Sequence, residues 1–111
     1  MLGRLFARQR LLHRQMGVGA FDSTVARMEY IRTMVLSAHV ELTEVLNETG
    51  WKPWKLEGFG HIDKGRVTNE LADVMLFVQS IAEACGVEAR DLEAACFAKI
   101  DENERRQAEG Y

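Results

Sequence analysis

Apolar residues recur along most of this chain at spacings of three and four, with polar and charged residues between them. No alternating strand pattern, internal repeat or low-complexity stretch interrupts that period. It predicts a first helix from Leu2 to Met16, halted by Gly17 and Gly19, whose backbone freedom ends helices. Asp22 or Ser23 caps a second, long helix to about Glu48, with Val25, Met28, Val35, Ala38, Leu42 and Val45 as its apolar stripe. Gly50 suits the position just past that helix. A third helix runs from Arg66 to Cys85, turns Val67, Leu71, Val74, Val78 and Ile81 inward, and stops at Gly86. The fourth spans Glu88 to Ala108, with Leu92, Ala95, Cys96 and Ile100 on its stripe.

Between the second and third helices the period breaks. Trp51-Lys52-Pro53-Trp54-Lys55 and Gly58-Phe59-Gly60 hold the only proline and two of the nine glycines, which marks a loop. The pattern as a whole predicts an all-α fold, an antiparallel bundle of about four helices in one domain over residues 1–111. The stripes are wide for so short a chain. They predict that a second copy completes the core, as a homodimer or a dimer of dimers.

Composition narrows the function classes. A hydrophobic fraction of 47% over 111 residues is enough for a modest core, and no apolar run reaches the length of a membrane span. A net charge of -3 argues against a duplex nucleic acid held through its phosphates. Cys85 and Cys96 match neither a zinc pattern nor a disulfide framework, which points to a reducing, cytoplasmic setting. Residues 1–16 carry Arg4, Arg8, Arg10 and Arg14 and no acid. Gln9, His13 and Gln15 add a polar face that a targeting signal does not require, so this segment is read as the first helix of the fold, its arginines solvated or facing an anion.

The candidate chemistry lies in two acidic pairs, Glu41 with Glu44 and Glu70 with Asp73. A spacing of three puts both carboxylates of a pair on one helix face, one turn apart, and both pairs border an apolar stripe. If the two helices pack side by side, four carboxylates converge. Like charges that close repel, so a cation is expected among them. A di-iron bundle needs Glu-x-x-His, and none of His13, His39 and His61 lies three after a glutamate. Zinc lacks its His and Cys ligands. An oxygen-only donor set suits Mg²⁺, with Mn²⁺ as a substitute, and Mg²⁺ commonly bridges to phosphates. Acids with lysines and arginines nearby therefore suggest a nucleoside polyphosphate, attacked at phosphorus by a water that a carboxylate orients.

Three motifs in order, the paired acids, the Trp51–Lys55 loop and the stretch from Lys99 to Tyr111, resemble the all-α nucleoside triphosphate pyrophosphatases, the MazG-like and dimeric dUTPase-like superfamily with its phage members. The resemblance covers most of residues 41–111 and matches the first helix loosely. It implies hydrolysis of a (deoxy)nucleoside triphosphate to the monophosphate and pyrophosphate, adjusting a nucleotide pool in a bacterial or phage-infected cell. Glu41, Glu44, Glu70 and Asp73 would be the metal ligands. Lys99, Asn103 and Arg106 would contact phosphates, as could Lys52 and Lys55. Trp51 and Trp54 are read as loop anchors on the core, with stacking of Trp54 on a base as the functional alternative. In dUTP-specific relatives the first helix offers the uracil a Gln and, four residues on, an Asn; here Gln9 is followed by His13. Leu76-Phe77 stands for His-Phe, and Lys99-Ile100 for Lys-Asn. These departures leave room for a purine deoxynucleotide such as dGTP or dATP beside dUTP. The other readings are a phosphoribosyl-ATP pyrophosphatase and a non-enzymatic helical dimerisation module.

Overall fold

The computed structural model describes residues 2–18 and 20–110; Met1 and two residues named above, Gly19 and Tyr111, lie outside the described residues. Four helices form the fold: α1 Leu2–Gln15, α2 Thr24–Asn47, α3 Lys64–Ala84 and α4 Ala89–Ala108. Among the described residues there is no strand, only an isolated antiparallel bridge between Thr49 and Ile62. Among the described residues no helix is long and apolar enough to cross a membrane.

Local chemistry accounts for the helix ends. Ser23, not Asp22, caps α2, its hydroxyl accepting from the Ala26 N–H at 3.0 Å. Asp63 caps α3 by accepting from the Arg66 N–H at 3.1 Å, so that helix begins two residues before the expected Arg66. Gly17 (φ 74°) and Gly86 (φ 75°) end α1 and α3 in the same way. In each case the residue after the glycine returns its N–H to a carbonyl five residues back, Val18 to His13 and Val87 to Ala82, both at 2.8 Å.

Gly50 has a different reason from the one expected. It is not a helix stop: α2 ends at Asn47 with Glu48 as its cap. A Cβ at Gly50 would lie 1.7 Å from the Gly58 carbonyl oxygen, because the loop folds back on itself there. The Gly50 N–H donates to His61 O and the Gly60 N–H to Gly50 O, each at 2.7 Å, closing the loop at its base.

α2 and α3 pack antiparallel along their lengths in one register, and facing partners have numbers that add to 111. Arg27 Nε donates to Ala84 O at 2.7 Å at one end, while Asp63 N donates to Glu48 O and Thr49 bridges Ile62 at the other. α1 lies across the C-terminal half of α3. Phe6 is buried there, and its carbonyl accepts from Gln79 Nε2 at 3.0 Å, on a side chain 1% exposed. α4 packs mainly on α1 and buries none of its own residues.

The apolar stripes are only partly covered. Ala38, Ala82 and Ala84 join Phe6 in the core, and Val35, Val45, Val67, Val74 and Ile81 are half-buried. Val25, Met28, Leu42, Leu71, Val78 and Ile100, all expected inside, are exposed, as are Ala95 and Cys96. The radius of gyration is 17.6 Å, against about 13 Å for a compact chain of this size. This shape leaves apolar surface on every helix.

Candidate active site

The α2–α3 register decides which acids meet. Glu41 faces Glu70, and Asp73 joins them from one turn further along α3. One carboxylate oxygen from each of these three lies within 4.8 Å of the others. Glu44 stays outside that group: the same register sets it opposite Val67, an apolar residue, so its i, i+3 relation to Glu41 does not bring it to the α3 acids. Ala38, buried, stands opposite Asp73 and keeps α2 close at this point.

Crowding has an electrostatic consequence. The Glu70 carboxyl is raised above its ordinary value of 4.5 by sharing a hydrogen bond with Glu41, then by partial burial, then by the negative charges of Glu41 and Asp73. Three carboxylate oxygens gathered this closely form a site that a hard, oxygen-seeking cation would relieve.

Asp73 also opens onto a cavity of about 350 Å³ between α1, α2 and α3. Its walls include Gln9 and His13 from α1, Tyr30 and Met34 from α2, and Phe77 and Ser80 from α3. The two α1 residues expected to meet a base therefore share one chamber with an acid expected to hold metal. Tyr30, Met34 and Ser80 were not anticipated. Ser80 lies seven after Asp73, and Tyr30 and Met34 are four apart, so helical spacing from the acids was the signal available. Within the chamber wall, the Gln9 amide lies 3.2 Å from His13 Nε2, and His13 Nδ1 lies 3.2 Å from Glu83 Oε2.

The loop forms a separate chamber of about 200 Å³, lined by Lys52 and Lys55 with Asn47, Trp51, Glu57 and Phe59. Pro53 sits at the second position of a turn closed by Lys55 N–H to Lys52 O at 3.1 Å. The Lys52 ammonium lies 5.8 Å from the centre of the Trp51 ring. The indoles of Trp51 and Trp54 meet edge to face at 5.6 Å, and Trp54 is 68% exposed. They pack on each other instead of anchoring on the core.

On α4 the expected phosphate contacts are turned to their own helix. Lys99 and Arg106 approach Glu102 at 3.8 Å and 2.8 Å, and Asn103 is exposed. None of the three lines the chamber that holds Asp73. One chain thus joins the acids to the 350 Å³ chamber through Asp73, with Lys52 and Lys55 in the loop beyond the acids, and leaves the α4 cations apart.

Comparison with known proteins adds one finding. A family model described as dUTPase matches residues 1–89, a span that takes in α1 and both acidic pairs and ends before Lys99. No curated protein and no solved structure matches the chain.

Proposed function

We propose, from the premise that the chain belongs to the dUTPase family, that it is a metal-dependent pyrophosphohydrolase converting a deoxynucleoside triphosphate to its monophosphate and pyrophosphate. Such an activity would adjust a nucleotide pool. One observation carries the reading: Asp73 belongs both to the three-carboxylate group and to the wall of the 350 Å³ chamber. A nucleotide with its base in the chamber would extend its phosphates toward the acids.

Glu41, Glu70 and Asp73 are the residues that would hold Mg²⁺ or Mn²⁺, which supplies charge neutralisation on the phosphates and a more acidic water. Glu44, outside the three-carboxylate group and one turn nearer the loop, is the acid assigned to orienting the attacking water, since a base must keep its lone pairs free of metal. Phe77 and Tyr30 offer apolar faces to a base, and Gln9 its hydrogen bonds. Asn47, at the mouth of the loop chamber, is six residues from Glu41, about 9 Å of helix. Lys52 and Lys55 are therefore within reach of a triphosphate that starts at Asp73. Lys99, Asn103 and Arg106 would serve the same phosphates when a second copy brings its α4 to the site. That proposal also accounts for the apolar surface left on every helix.

The test is a panel of dATP, dGTP, dCTP, dTTP, dUTP and the ribonucleotides with Mg²⁺, with pyrophosphate and monophosphate quantified. Stoichiometric pyrophosphate from at least one deoxynucleotide, abolished by chelation, is expected. Orthophosphate as the product, or silence across the panel, overturns the reading.

A further inference from the structure

Two polar side chains of α1, Gln9 and His13, wall the base chamber, and a third, Glu83 of α3, backs them. Glu83 Oε2 lies 3.2 Å from His13 Nδ1, and His13 Nε2 lies 3.2 Å from the Gln9 amide nitrogen. The His13 and Glu83 side chains are 11% and 22% exposed, so solvent competes little for these bonds. Gln9 and His13 line the chamber, whereas Glu83 stands behind the imidazole, outside the chamber lining.

The donors and acceptors in this chain are interlocked. A carboxylate can only accept, so Nδ1 must carry the proton that bonds Glu83. The Gln9 amide nitrogen, a donor, lies against Nε2, so Nε2 is the acceptor of that bond and the proton sits on Nδ1 alone. Gln9 keeps its carbonyl oxygen and its second N–H for a ligand. With the proton on Nε2 instead, the imidazole would donate to the Gln9 oxygen. The amide would then turn over and offer two N–H groups with its acceptor already engaged. The tautomer at position 13 therefore decides what position 9 presents.

We propose that Glu83 is a positioning residue: it fixes His13 as the Nδ1–H tautomer and thereby aims the Gln9 carboxamide oxygen into the chamber, to accept from an N–H on the edge of a nucleobase. The choice of nucleobase as the ligand rests on the proposed function; the relay itself rests on the side-chain geometry. It also gives His13 a task that differs from reading the base directly.

Two measurements on the full-length protein test it. Long-range proton–nitrogen correlation NMR should report His13 in the Nδ1–H form, and Glu83→Gln, which can donate as well as accept, should shift the population toward Nε2–H. Affinity for α,β-imido deoxynucleoside triphosphates with Mg²⁺, read by calorimetry, should fall about tenfold in Glu83→Gln, the scale of one misdirected hydrogen bond. In turnover assays the loss should fall on KM and leave kcat within about twofold. The decisive variant is Gln9→Leu: on that background Glu83→Gln should cost nothing further, because the relay has lost its end. A residue that merely stiffens the fold would cost the same on both backgrounds.

Wild-type His13 found as Nε2–H, unchanged nucleotide affinity in Glu83→Gln, or additive losses in the double variant would each overturn the relay. Tight binding of a nucleotide without its hydrolysis would sink the catalytic reading and leave the relay standing.

Discussion

Glu70 is the residue on which the acid site turns. Its folded carboxyl is raised above 4.5 by the hydrogen bond with Glu41, by desolvation and by the charges of Glu41 and Asp73, so the metal-free folded state holds this proton more tightly than the unfolded chain does. The sign follows from linkage: this contribution to stability is full below the unfolded value and is lost as pH rises through the folded one. Metal-free protein should therefore lose stability from about pH 4.5 upward across that window, and Glu70→Gln should flatten the loss. Mg²⁺ should raise the melting temperature of wild type, and the same substitution should abolish that rise, a pairing that calorimetry reads directly. Asp73→Asn should lower kcat/KM by roughly a hundredfold or more with an unchanged circular dichroism spectrum, since several kcal/mol of transition-state stabilisation go with the ligand. Near-normal turnover in Asp73→Asn would remove the metal assignment. The four acids were legible in the sequence as two i, i+3 pairs. That Glu44 parts from the other three was not, because helical spacing relates residues within one helix and says nothing about what the neighbouring helix sets opposite.

At the scale of elements, the sequence located all four helices to within two residues at their N-terminal ends, since caps and C-terminal glycines act locally. Gly50 shows where local reasoning stops. It was read as a helix stop, yet its constraint is the Gly58 carbonyl eight residues on, 1.7 Å from where a Cβ would lie. Gly50→Ala should destabilise the protein by about 1–3 kcal/mol, because a backbone atom cannot yield as a flexible side chain does. Gly3→Ala, with no heavy atom within 4 Å of its Cβ, should be neutral or gain up to about 1 kcal/mol of helix propensity. Chemical denaturation of the two variants tests this; equal stabilities would refute the loop closure. The loop also holds Lys52 and Lys55 where the α2–α3 hairpin turns, so Gly50→Ala should raise KM as well.

The whole molecule is open. Leu11, Met28, Leu36 and Phe97 are each at least 53% exposed, and α4 buries nothing. Apolar surface of that extent on every helix is what the proposed second copy would cover. The protein should run as a dimer or larger at micromolar concentration in light scattering, with a melting temperature that rises with concentration. Phe97→Glu should dissociate it. A stable monomer with a sharp, concentration-independent transition would refute this and leave the α4 cations without a route to the acids. By itself the sequence determined the helical class, the helix boundaries, the oxygen-rich acidic pairs and the break at the Trp51–Lys55 loop, because each depends on neighbours within a few residues. Tertiary structure alone decided the register in which Glu41 meets Glu70, the chamber shared by Asp73 and Gln9, and the Glu83–His13–Gln9 relay. Those depend on contacts between side chains as many as 70 positions apart, whose pairing no local period encodes.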